Sequence, residues 1–320
     1  MPNFLGSKHT LGFKPQATAG SAEATVTTFP STLSFGMNAN AKHIERKSHI
    51  GTGRNLPSRL GWTEPAGKAV AEVMASQPHP FYWALGGVAS SQPAVGTDPT
   101  VYLHTITATD PVRLTAEGDR VFDKAKQADV YINKITLKGQ IGETATCEIE
   151  WFALGHVDGA TTTSTPVFVT DVLTVRSATV KIAGTQDLTI PEFEIAWENN
   201  LEQLPVIAEV AGAPSVIRRK EPPKCGGKFK FIDFPAAELA RLNAATSFAV
   251  VVELIGPTIS NTYKKFLRVT LPACQYTGGF DADISESVIT GDGDFDAFYD
   301  TVTSRQILVE AQNTITTINT

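Results

Sequence analysis

The chain of 320 residues carries a formal charge of −6 and an isoelectric point near 5.6, a balance that excludes a broad basic face adhering non-specifically to a phosphate backbone. Cys147, Cys225 and Cys274 are odd in number and widely spaced, so neither a disulfide framework nor a zinc site is indicated and a reducing compartment is expected. No segment reaches 18 consecutive apolar residues and the first residues lack a signal-like apolar run, which leaves membrane anchoring and secretion unsupported.

Residues 1–28, rich in Gly, Ala, Ser and Thr, read as an N-terminal arm that orders against a partner. A short strand is expected from Thr32 to Ala41. The chain then turns basic through Lys42, Arg46, Lys47, Arg54 and Arg59, punctuated by Gly51, Gly53 and Pro57, as in a long loop or hairpin arm. A helix is predicted over 64–75. Thr63 would cap it, Pro65 would sit in its first turn, and Ala66, Ala69, Val70, Val73 and Met74 would form one apolar stripe. Strands are predicted at 81–86 and 100–107, with a Ser/Gly/Pro loop between them.

Residues 130–137 and 145–152 alternate polar with apolar side chains around a Gly-Gln-Ile-Gly turn, which predicts a hairpin with one buried face. The polar run Thr161-Thr162-Thr163-Ser164-Thr165 marks a link over 159–185. Glu192-Phe193-Glu194-Ile195-Ala196-Trp197 alternates strictly and predicts a strand. A second basic loop follows through Arg218, Arg219, Lys220, Lys224, Lys228 and Lys230, with Pro222-Pro223 and Gly226-Gly227 inside it. A helix over 234–243 capped by Asp233, and strands at 248–255 and 264–271, complete the pattern. Asp281, Asp283, Glu286, Asp292, Asp294, Asp296 and Asp300 form an acidic run free of Lys and Arg.

Two stretches share a local grammar. Thr63-Glu64-Pro65-Ala66-Gly67 and Asp233-Phe234-Pro235-Ala236-Ala237 each precede an apolar run ending in Gly86 or Gly256, in ungapped register. The repetition predicts a duplicated building block and points to assembly more than to catalysis. The domain reading is therefore a first β unit over 29–158 and a second over 186–320, each with one short helix. The fold class is mainly β, as duplicated sandwich or barrel units.

No catalytic, cofactor-binding or metal-ligating residue is assigned. Gly61 and Gly67-Lys68 miss the phosphate-loop spacing by one residue, and Ala69 stands where the magnesium-binding hydroxyl belongs. Gly291-Asp292-Gly293-Asp294-Phe295-Asp296 spaces carboxylates as a calcium loop does, but Ala297 and Thr303 replace the turn Gly and the bidentate Glu, so an acidic turn is the better reading. The six histidines form no H-E-x-x-H and no i, i+4 pair, and a G-x-S-x-G elbow is missing from the sequence.

The strand Phe193-Glu194-Ile195-Ala196-Trp197-Glu198-Asn199-Asn200, the helix-strand unit after the basic loop, and Leu271-Pro272-Ala273 leading to Ile284–Tyr299 and a final strand near Gln306–Glu310 resemble the major tail tube proteins of long-tailed bacteriophages. The resemblance covers most of residues 30–315. It implies a non-enzymatic virion protein, made in the host bacterial cytoplasm, whose β-sandwich or barrel subunits form rings. Those rings stack into a tube through which DNA leaves the capsid. The implied partners are further copies of the chain, in trimeric pseudo-hexameric or hexameric rings, together with tail terminator, tape measure and distal tail proteins; DNA passes the lumen without specific binding.

Within that reading the interface candidates are Lys42, Arg46, Lys47, Arg54 and Arg59 on one arm; Arg218, Arg219, Lys220, Lys224 and Lys228 on the other; and Asp281, Asp283, Glu286, Asp292, Asp294 and Asp296. Opposite charges would meet across the ring-to-ring seam. Two other readings are a phage neck or baseplate ring protein, and a carbohydrate-binding β-sandwich in which Trp62, Tyr82, Trp83, Trp151 and Trp197 form an exposed stacking platform.

Overall fold

The computed structural model describes residues 9–50, 54–120, 123–163, 167, 169–204, 216–232, 236–260, 262–278, 282–285 and 288–318. Strand β1 (Thr10–Pro15) precedes β2 (Thr32–Asn38), which runs into a hairpin of β3 (Ala41–Ile50) and β4 (Arg54–Thr63) and returns as β5 (Ala66–Glu72). Helix α1 (His79–Leu85) leads to β6 (Gly86–Ser91), β7 (Tyr102–Ala108), β8 (Leu114–Asp119), the long β9 (Lys124–Gln140), β10 (Thr146–Phe152) and β11 (Gly155–Asp158). A short 3-10 turn at Val175–Ser177 opens the rest: β12 (Ala178–Ile182), β13 (Thr185–Gln186) and β14 (Glu192–Glu198). A second hairpin, β15 (Leu201–Leu204) and β16 (Val216–Arg219), returns as β17 (Lys224–Ile232), followed by α2 (Ala236–Asn243), β18 (Phe248–Ser260) and β19 (Tyr263–Tyr276). The chain finishes with β20 (Ala282–Ser285), β21 (Val288–Ala297) and β22 (Leu308–Asn313).

The order strand, hairpin, strand, helix, strand, strand therefore occurs twice: β2 to β7 and β14 to β19. Its register differs from the ungapped match of the sequence. Ala66 opens strand β5, whereas Ala236, its counterpart in the sequence match, opens α2. The matched grammar thus marks a strand in one copy and a helix in the other, while α1 corresponds to α2 by position in the fold.

Two layers enclose one contiguous core. The first is a continuous antiparallel run β2-β5-β10-β9-β14-β17-β21-β20. The second runs β6-β7-β22-β19-β18-β12-β13, and β19 also pairs with β21 through Cys274–Tyr276. The first half of β9 turns away to pair with β8 and β11, and β8 takes β1 on its other edge. The N-terminal segment is thus partly built into its own chain: Leu11 and Phe13 of β1 are fully buried. Phe13 sits 4.9 Å from Trp83 and 5.4 Å from Trp151 between ring centroids, so it locks β1, α1 and β10 together.

The first helix is displaced from its expected place. Residues 66–72, within the span predicted as a helix, form β5, and residues 79–85, predicted mostly as a strand, form α1. In the first span Gly67, Ala69, Ala71 and Val73 recur at period two as well as the apolar stripe does at helical spacing, and strands β2 and β10 flank both edges. Trp151 decides the matter: its ring lies 2.1 Å from where a Gly67 Cβ would stand, and its Nε1 donates to Gln127 Oε1 at 2.7 Å. Only a flat strand with glycine there admits it. Residues 79–85 are all buried, and a segment apolar on every side can sit as a helix between layers as readily as in a sheet. Pro80 is in its first turn, and Gly86, at φ 91°, closes it by donating its N–H to the Tyr82 carbonyl.

The hairpin at β9–β10 and the strands β14, β18 and β19 lie where the sequence predicted them. The second helix occupies Ala236–Asn243; Asp233, expected as its cap, lies outside the described residues. Gly291–Asp296 belongs to a strand, β21, and not to a turn or ion-binding loop, because Phe295 and Ala297 are buried against the core and β17 pairs along its length. The link region contributes β12, an edge partner of β18.

Two expectations follow from the core. Gly67→Ala should lower stability by about 1–3 kcal/mol through overpacking against a ring that cannot retreat, read from denaturant unfolding. His79, at the start of α1, is buried, and its pKa is depressed to about 4, first by burial and second by His104. The fold therefore holds the proton less well than the unfolded chain does, with full stability above pH 6.5 and a loss that grows to roughly 3 kcal/mol as the pH falls to about 4. His79→Leu should flatten that part of the pH profile relative to wild type.

Candidate functional site

Strict alternation sends every second side chain of the first layer inward and leaves the others on one open face. On β14, Phe193, Ile195 and Trp197 are buried while Glu194, Ala196 and Glu198 are not. On β10, Cys147, Ile149 and Trp151 are buried and Glu148 and Glu150 face out. On β17, Phe229 and Phe231 are fully buried while Lys228 and Lys230 are exposed. The inward rings join the layers: Phe295 of β21 lies 4.8 Å from Phe229 and 6.4 Å from Phe248 of the second layer.

The open face is striped by charge. Strands β5, β9 and β17 present Lys68, Lys134, Lys138, Lys224, Lys228 and Lys230; the intervening β10, β14 and β21 present Glu148, Glu150, Glu192, Glu194, Glu198, Asp292, Asp294 and Asp296. Glu72 is the carboxylate on a lysine strand, so six lysines face nine carboxylates and the face is acidic in sum. Register turns the stripes into rows. Lys68, Glu150, Lys134, Glu198 and Lys224 stand opposite one another in succession across five strands. Lys138 lies 3.1 Å from Glu148 and 3.6 Å from Glu194, Lys228 lies 2.6 Å from Asp292, and Lys68 pairs with both Glu148 and Glu150. Contact with Asp292 raises the Lys228 pKa, and contact with Lys68 lowers that of Glu148, so both stay ionised at neutral pH.

The residues singled out from sequence separate into two places. Lys224, Lys228, Asp292, Asp294 and Asp296 come together on β17 and β21, and the Lys228–Asp292 pair is made within one chain. The first basic arm is the β3–β4 hairpin, with Arg46, Lys47, Arg54 and Arg59 along it and Lys42 at its base, 3.1 Å from Glu64. Arg218 and Arg219 lie on β16, 2.7 Å from Glu202 and 3.3 Å from Asp110 respectively, and Lys220 follows them. Both hairpins leave the same end of the striped sheet, since each connects two of its adjacent strands. Asp283 lies on β20 opposite Thr290; Asp281 and Glu286 lie outside the described residues.

Sequence reasoning missed Lys68, Lys134, Lys138, Glu148, Glu150, Glu192, Glu194 and Glu198 as members of one surface. The signal was present in the alternation of β10 and β14, where buried Cys147, Ile149, Phe193, Ile195 and Trp197 are each followed by a glutamate or an alanine. Four of the five aromatics expected on an exposed platform are packed inside, Trp83, Trp151 and Trp197 at most 3% exposed and Tyr82 buried, which leaves half-buried Trp62 alone. The three thiols are buried and free, and burial raises their pKa values, that of Cys274 to about 12, so they are poor nucleophiles. His104 is held between Ser90 Oγ at 2.8 Å and Asn313 Oδ1 at 3.1 Å.

Ion pairs this exposed contribute about 0–1 kcal/mol each. Lys228→Gln should therefore change unfolding free energy by less than about 1 kcal/mol while making the face more acidic; calorimetry of the variant checks it.

A family model described as Phage tail tube protein matches residues 6–297. Among curated proteins none matches the chain.

Proposed function

The chain belongs to the phage tail tube protein family, and from that premise we propose that three copies close each ring and that the striped face lines its bore. The protein is a structural component of the virion tail, in a family that builds a tube together with other tail proteins.

The observation that carries the reading is the first layer itself: eight continuous antiparallel strands with one charged face and two open edges. Among the described residues β2 pairs with β5 alone and β20 with β21 alone. Open edges are a liability for a solitary chain. Eight is an even number, so β2 and β20 run in opposite directions and the β20 edge of one copy can take the β2 edge of the next in antiparallel pairing. At roughly 4.8 Å per strand, with about 5 Å of side chain on each wall, 24 strands from three copies enclose a bore of roughly 27 Å. Two copies leave roughly 14 Å, barely above the ~12 Å of a single DNA major groove, and six leave roughly 60 Å. Strand tilt widens all of these in proportion.

The charge pattern suits a conduit. Neutralising even 6–10 phosphates would give tight, salt-sensitive adhesion, whereas lysines already engaged by carboxylates on neighbouring strands, within an excess of acid, let a duplex slide. The doubled element order supports two β units, 29–158 and 186–320, joined by 159–185, giving each ring pseudo-sixfold symmetry. The hairpins bearing Lys42, Arg46, Lys47, Arg54 and Arg59, and Arg218, Arg219 and Lys220, reach neighbouring copies, and β20 with Asp283 forms part of the subunit seam. Tail terminator and distal tail proteins cap the two ends, and a tape measure protein occupies the bore before DNA does. The role is non-enzymatic.

Electron cryomicroscopy of tubes from the purified protein should show three chains per ring; a ring of six identical chains would refute the arrangement. Asp292→Lys, Asp294→Lys and Asp296→Lys in one chain should convert tubes that ignore DNA into tubes that bind it with steep salt dependence, measured by co-sedimentation at 50 and 200 mM salt.

A further inference from the structure

The strands of the striped sheet end in two different apolar features. At one end β21 runs into the 298–305 turn, where Phe298 is 45%, Tyr299 63% and Val302 90% exposed. This turn is rigid. The Asp300 carboxylate accepts the N–H groups of Val302 and Thr303 at 3.3 and 2.8 Å and the Thr303 hydroxyl at 2.6 Å. The backbones of Asp300 and Arg305 pair in both directions, and the Phe298 N–H is held by the Ala273 carbonyl at 2.7 Å. A braced turn that holds a valine almost wholly in water is pre-organised for contact and keeps little ordering entropy to lose on binding.

At the other end Ile141, Leu188 and Ile232 are 67%, 86% and 42% exposed. Backbone bonds gather them: the Ile141 N–H donates to the Pro191 carbonyl at 2.8 Å and the Ile232 N–H to the Thr189 carbonyl at 2.7 Å. Asp187 braces the same segment through the Thr189 N–H and hydroxyl at 2.8 and 2.7 Å. Register fixes the separation. Ile232 stands opposite Thr290 and Cys225 opposite Ala297, which puts the rim roughly 25 Å from the turn along the strands. The two patches cannot meet within one chain.

We infer that the 298–305 turn is a stacking knob that seats on Ile141, Leu188 and Ile232 of a second copy in the adjacent ring. The inference rests on the tube reading above and names the contact that makes stacking directional. Knob and rim are different surfaces at opposite ends of the same strands, so their union is head-to-tail and propagates without closing. The apolar contact also explains why stacking would survive salt that screens the basic hairpins.

The test uses the full chain and three variants: Val302→Asp, Leu188→Lys, and the two combined. Each single variant should keep wild-type rings by size-exclusion chromatography and wild-type melting, because both sites are exposed, yet raise the protein concentration at which tubes appear by about tenfold or more. The double variant should recover much of that loss through the new Asp–Lys pair. Tubes forming as in wild type from either single variant overturn the inference while leaving the ring intact. Failure of the wild-type chain to form rings at all overturns the tube reading and this contact with it. Should one single variant melt early, the other with the double still decides the outcome.

Discussion

Unpaired strand edges govern this molecule. The eight-stranded layer has its core on one side and charge on the other, but among the described residues its two outermost strands carry backbone N–H and C=O groups along unpaired margins. Such groups are satisfied by water only until another strand arrives. In the ring proposed above that strand belongs to another copy, and the parity of eight antiparallel strands makes the two margins mutually compatible. The second layer, the helices and the small sheet around β1, β8, β9 and β11 hold this one layer in shape.

The shape is held by large buried side chains and not by surface charge. Phe13, Trp83 and Trp151 clasp the N-terminal strand and α1 onto β10, and Phe229, Phe295 and Phe248 do the same between the two layers in the second half. Burying a side chain of that size contributes several times what an exposed ion pair does. The charged face is thus free to be specified by something other than stability. Alternating lysine and carboxylate strands satisfy one another locally and leave a mild acidic surplus, which suits a surface beside a polyanion that must neither bind nor be repelled so strongly that it cannot enter.

Stacking asks for something else. A tube needs an interface that repeats indefinitely along one axis, which requires two unlike surfaces on each subunit. The hairpins project from one end of the striped sheet, as does the braced turn carrying Val302, while Leu188 and its neighbours sit at the other. Basic and apolar surface are separated on the molecule, one on two-stranded hairpins, the other in short turns fixed by aspartates.

From the sequence by itself the mainly β class, the strands with strict period-two alternation and the tail tube resemblance were readable, because each depends on residues close together in the chain. The alternation of Glu148-Ile149-Glu150-Trp151 and of residues 192–197 already fixed which side chains share a face. Only the tertiary structure decided which strands are neighbours: β9 beside β14 and β17 beside β21 are long-range pairings, and they alone convert scattered lysines and carboxylates into stripes. It also decided that residues 66–72 extend and 79–85 coil. Seven-residue apolar segments satisfy either period, and the choice fell to a distant tryptophan that needed a glycine beneath it.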